Sequence, residues 1–164
     1  MKHFRGLPIL IVAVALAAIV ATSAFAAAQK KITFSGSYKG TVTEKVDGSS
    51  ISATAAATGK GTVIGSGTLA GVVKATTANP PCSPISGPGT VSGPKGKLKL
   101  TVTTGSRGCA AGEDDQNNIT LSGTAKVTGG TGTFKKAKGS LHFSGHYDRK
   151  GGSFNVKLTG PLTY

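Results

Sequence analysis

The sequence predicts an all-β fold: about eight antiparallel strands forming a closed or partly open barrel, with a β-sandwich as the alternative, preceded by a helical export signal. Three observations carry this expectation. From Lys31 onward apolar residues alternate with polar ones at a period of two, and no helical period replaces it. Gly-, Asp- and Pro-containing turns separate the alternating runs at short intervals. Glycines fall on the inward parity of those runs (Gly36, Gly40, Gly123, Gly145, Gly160), which favours the tight curvature of a barrel over a flat sandwich.

The N-terminal segment stands apart from this pattern. Lys2 and Arg5 form a short positive region, Leu7 to Val20 is apolar apart from Pro8, and Ala24-Phe25-Ala26 supplies the small residues a signal protease requires. Residues 1–26 therefore read as a signal peptide cut between 26 and 28, and 27–164 as one domain. The rival is an uncleaved anchor, because apolar character persists to Ala28. Cleavage after Ala26 leaves 138 of the 164 residues, enough for a hydrophobic core and without a membrane span. The expected location is extracellular or in the cell envelope.

Within the domain, Ile32, Phe34, Tyr38, Val42 and Val46 share one parity, and Asp47-Gly48 marks a hairpin. Ile51, Ala53, Ala55 and Ala57 continue the pattern. At Gly65-Ser66-Gly67 the apolar parity shifts, as at a bulge or sharp bend. A short strand is expected near 88–92. Leu98, Leu100 and Val102 then alternate with lysine and threonine, followed by strands built on Ile119, Leu121, Ala125 and Val127, on Leu141, Phe143 and Tyr147, and on Phe154, Val156, Leu158 and Leu162. Cys82 and Cys109 form an even pair in Pro/Gly-rich segments. In an oxidising compartment they read as a disulfide pinning two loops, stabilising the fold by about 3–4 kcal/mol.

Charge narrows the class of partner. Without Lys2 and Arg5, seventeen basic side chains face six acidic ones, a formal charge of +11. Two lysine groups stand out: Lys95, Lys97 and Lys99 on one strand face, and Lys135, Lys136 and Lys138 after a Gly-rich turn. They suit an anionic surface polymer, although lysine on a strand also guards against edge pairing. The chain has no Trp, and no aromatic lies among these lysines, which speaks against base stacking and sequence-specific nucleic-acid recognition.

Catalytic signatures are sparse. No G-x-S-x-G elbow occurs. Gly65-Ser66-Gly67-Thr68-Leu69-Ala70 matches a dinucleotide fingerprint in letters but opens no helix, and no cofactor is expected. His142 and His146 share a strand face about 13 Å apart, too far to ligate one ion, and oppose the apolar parity, so they read as surface histidines and no metal site is expected. Glu44 is the one unusual carboxylate. It shares parity with Tyr38 and Val42, which aims it into the interior or at the rim where the lumen meets water. With Tyr38, Phe143 and Tyr147 it forms a candidate ligand-binding set, and Glu44 is the weak candidate for an acid.

The segment Gly129-Gly130-Thr131-Gly132-Thr133-Phe134-Lys135-Lys136-Ala137-Lys138-Gly139 resembles the G-G-T-G-x-F-x-x-A-x-G motif of dirigent proteins and allene oxide cyclase-type barrels. The wider arrangement is similar to that of bacterial secreted β-proteins. The resemblance implies an eight-stranded antiparallel barrel; no catalytic residue of those enzymes maps onto a position here. The combined expectation is a non-enzymatic binding protein for an anionic polymer or a small apolar ligand. The alternative is an isomerase or cyclase of the resembled type, acting on a small apolar substrate in the lumen.

Overall fold

The computed structural model describes residues 29–76, 81–112 and 115–164; the signal segment expected over 1–26 lies outside them. The described residues are all-β, with nine strands: β1 (Lys31–Asp47), β2 (Ser50–Gly61), β3 (Gly65–Thr76), β4 (Cys82–Gly93), β5 (Gly96–Val102), β6 (Arg107–Ala110), β7 (Asn118–Gly130), β8 (Lys138–Asp148) and β9 (Ser153–Thr163). One 3-10 turn, Gly132–Phe134, joins β7 to β8.

Each neighbouring pair is antiparallel, and β3 pairs with β4, so the sheet closes on itself. The ring has eight staves because β5 and β6 share one. Both run against β4 on one side and β7 on the other, β5 over one half of the height and β6 over the other. The barrel expected from the alternation is therefore present, and closed.

The join inside the shared stave is sealed by side chains. Where the chain leaves the ladder between Val102 and Arg107, Thr103 donates its backbone N–H to the Thr124 carbonyl (2.9 Å). The buried Ser106 hydroxyl accepts the Thr124 N–H (3.1 Å). A Cβ at Gly123 would fall on that hydroxyl, which explains the glycine opposite. Replacing Ser106 with Ala strands the Thr124 N–H in the wall, and a loss of about 2 kcal/mol in unfolding free energy is expected. Chemical denaturation of Ser106→Ala measures it; a loss below about 0.5 kcal/mol would mean that water replaces the hydroxyl.

One end of the barrel is plugged. Phe34, Tyr38, Ile64, Leu98, Phe134 and Leu162 are fully buried there, and the Phe134 and Tyr164 rings meet at 5.3 Å between centroids. The Gly-rich segment builds this plug. Gly132 adopts φ +58°, and a Cβ at Gly130 would fall on the Lys97 carbonyl, so the chain can fold Phe134 back into the barrel only with glycines there.

Several expectations need correction. The short strand near 88–92 is a twelve-residue strand carrying Pro84 and Pro88. The β3–β4 ladder skips the pairs opposite Gly87 and Pro88, since proline has no N–H to offer. Of the bulge or sharp bend expected around Gly65, the structure has the bend, a tight turn at 62–64 just before Gly65 with Val63 at φ +62°. The cysteines do not join loops: Cys82 and Cys109 are direct cross-strand partners in β4 and β6, and they are disulfide-bonded. Val46, on the inward parity, is 62% exposed because β1 and β2 extend past the rim as a hairpin.

Candidate functional site

The end opposite the plug is open and leads into a cavity of about 370 Å³. Its shape follows from an asymmetry of side-chain size. The wall made by β2, β3 and β4 presents Ala53, Ala55, Gly71, Ala75 and Gly89 between larger residues such as Leu69, Val73 and Ile85, and the facing wall presents Leu100, Leu121, Phe143, Tyr147 and Phe154. Small residues on one side leave a void that the large residues opposite do not reach across. Such a volume, with an apolar lining and a few polar groups, is in the range of small-molecule sites (about 300–1,000 Å³).

The polar groups sit at the mouth. Glu44, half-buried on the lumen face of β1, pairs with Arg149 at the end of β8 (Nε to Oε2, 3.1 Å). Arg149 also donates through Nη1 to the Gln116 carbonyl (3.4 Å) and through its backbone N–H to the Asn117 carbonyl (2.8 Å). The arginine thus ties β1, the β6–β7 connection and the β8–β9 turn together across the opening. Tyr147 stands beside them. Burial pushes its phenol pKa up, the Glu44 carboxylate adds to the rise, and Arg149 opposes it. At neutral pH the group is a neutral hydroxyl able to donate a hydrogen bond.

The four residues of the candidate set separate. Glu44, Phe143 and Tyr147 line the cavity. Tyr38 does not: it lies lower, within the plug, with its hydroxyl buried and without a partner. Arg149 and Gln116, which complete the mouth, carried no period-two signal because both lie outside the strands. The one available cue for Arg149 was its being one of only two arginines after residue 26 in a lysine-rich chain.

His142 and His146 project outward from β8, touching Thr124 Oγ1 (3.4 Å) and Asn118 Oδ1 (3.2 Å). Among the described residues no group of three or more His, Cys, Asp or Glu is placed to hold a metal ion, and no helix is long and apolar enough to cross a membrane. Asp115, at the rim, has its carboxyl held below the usual range, chiefly by the Asn118 side-chain amide. All six lysines of the two groups noted in the sequence are exposed.

Comparison with protein-family models, with curated proteins and with solved structures finds no match to this chain.

Proposed function

We propose that this chain is an exported, non-enzymatic β-barrel that binds a small, largely apolar molecule end-on in its lumen. The molecule's polar end would stay at the mouth beside Glu44, Tyr147 and Arg149. The observation that carries the reading is the cavity itself, an apolar well of about 370 Å³ open at one end and rimmed by an ion pair and a phenol. An unfilled apolar space of that size forgoes packing contacts, and a ligand would restore them. Export is supported by the N-terminal signal pattern and by the Cys82–Cys109 disulfide, a bond that persists in oxidising compartments.

Native mass spectrometry of the mature protein, after incubation with an extract of its own host, tests the proposal. A small molecule retained at fixed stoichiometry is the expected result. Ala55→Phe places a large ring in the void from the small-residue wall. It is expected to cut retention at least tenfold while the thermal midpoint changes by only a few degrees, since exclusion leaves the ladders intact. Equal retention by Ala55→Phe would place the ligand elsewhere.

A second reading, an isomerase or cyclase of the dirigent or allene oxide cyclase type, is favoured by one observation. Glu44 and Tyr147 stand together at the edge of an apolar well, where an acid and a hydroxyl could steer a reactive intermediate held by shape. Glu44→Gln separates the two readings. A binding protein releases its ligand chemically unaltered from parent and variant alike, whereas an enzyme converts its substrate in the parent and only retains it in the variant.

A further inference from the structure

The charges of the barrel are segregated along its axis. Among the described residues the acidic side chains are Glu44, Asp47, Asp115 and Asp148, and all four belong to the mouth end, where β1, β8 and the β6–β7 connection finish. The one side-chain ion pair among the described residues, Arg149 with Glu44, is there too.

The plugged end is the reverse. Lys30 and Lys31 open β1, and Lys138 opens β8 with Thr163 of β9 between them. That spacing sets Lys31 and Lys138 about 10 Å apart on the outer face, two strand separations. The lysine groups at 95–99 and 135–138, distant in sequence, also meet at this end. Thr133 donates its backbone N–H to the Lys95 carbonyl (3.0 Å), and Thr131 to that of Lys97 (2.9 Å). Lys97 in turn donates its N–H to the Thr131 hydroxyl (3.1 Å). Exposed lysines thus project from a hydrogen-bonded, rigid cap with no side-chain carboxylate among the described residues at that end.

We infer that this basic pole is a docking surface for a linear, phosphodiester- or phosphate-bearing polyanion. Three features select that partner. Every cation of the pole is lysine, a compact point charge that can meet successive phosphates of a chain one at a time, without the bidentate geometry that arginine's planar fork imposes on carboxylate and phosphate alike. Lys95, Lys97 and Lys99 continue from the cap along the wall in steps of about 6.6 Å, a line that a polymer can follow and a flat bilayer cannot reach. The exposed large hydrophobics among the described residues, Val46 and Val72, lie away from the pole, so it presents no large, fully exposed apolar side chain for insertion into lipid. A polymer held there leaves the cavity mouth, at the opposite end, free.

The test uses the mature protein with long-chain inorganic polyphosphate, titrated by calorimetry between about 50 and 300 mM salt. The pole variant is Lys95→Ser/Lys97→Ser/Lys135→Ser/Lys136→Ser. The control, Lys39→Ser/Lys45→Ser/Lys74→Ser/Lys150→Ser, removes the same charge from the middle and the mouth half. The pole variant is expected to bind at least tenfold more weakly, and its log K against log salt slope to fall by about 3, as four lost phosphate contacts require. The control is expected to stay within threefold of the parent with its slope unchanged. Equal losses in the two variants, no binding by the parent, or tighter binding to phosphatidylglycerol vesicles than to polyphosphate would each overturn the inference.

Discussion

Replacing Cys82 and Cys109 together by Ala is expected to cost about 3.5 kcal/mol of unfolding free energy, through the chain-entropy effect of opening a loop with a sequence separation of 27. For a domain of this size that is a fall of about 10–15 °C in the thermal midpoint. The disulfide joins the start of β4 to β6, the four-residue strand that completes the broken stave. β6 is otherwise held by β4 over three residue pairs and by β7 over four, so it depends on the cross-link more than the long strands do. Pro81, Ser83, Gly108 and Ala110 line the cavity mouth beside the bridge, so the variant is also expected to hold a lumen ligand less tightly. Thermal denaturation of the double variant and of the reduced parent should agree. A loss below about 1 kcal/mol would mean that β4 and β6 stay together in the unfolded chain without the bond.

How much of this was legible in the sequence depended on what each strand buries. β1, β2, β5, β7, β8 and β9 face a core on one side and water on the other, so a strict alternation marks them. β4 was legible over less than half its length, because Pro84 and Pro88 penalise a central strand and Gly87 and Gly89 interrupt the apolar row of Ile85 and Val91 on its lumen side. β6 was invisible. Four residues, Arg107-Gly108-Cys109-Ala110, give a period-two pattern too few repeats to register, and their strand character comes from neighbours on both sides.

The candidate site shows the same division. Alternation placed Glu44, Phe143 and Tyr147 on the lumen side, and the structure brings them to one cavity. It also placed Tyr38 on that side, without revealing at which height the plug ends and the void begins. That boundary depends on volumes summed across eight staves: alanines and glycines of β2 to β4 open the upper half, while Phe34, Ile64 and Phe134 fill the lower. The segregation of charge was hidden for a similar reason. Lysines at 30–31, 95–97 and 135–138 are scattered in sequence, and only the up-and-down order of strands sends them all to one end.

Tyr38 is the source of the second large effect, a loss of stability in alkali. Its side chain is fully buried, its hydroxyl has no hydrogen-bond partner, and burial pushes its pKa from 10 up to about 12. Below about pH 10 both folded and unfolded chains keep the proton, and the phenol has no effect on the pH dependence. As the pH rises from about 10 to 12 the unfolded chain releases a proton that the folded chain still holds, so stability falls, by about 2–3 kcal/mol at the upper end. Tyr38→Phe abolishes that fall. Near neutrality the variant is expected to equal or exceed the parent by about 1 kcal/mol, because it also removes a buried hydroxyl that makes no bond. Urea midpoints of both proteins between pH 8 and about 11.5 give the comparison, and the Tyr147 phenol, raised in both, cancels from the difference. A difference that stays constant over the range would mean that the Tyr38 phenol ionises as readily folded as unfolded. The ring itself is required in either case. A Cβ at Gly61 would crowd both the Tyr38 hydroxyl and the tip of the Phe34 ring, and one at Gly36 would touch both rings. The glycines have made room for an aromatic of that length, and Phe, which keeps the ring and drops only the hydroxyl, leaves the plug beneath the cavity closed.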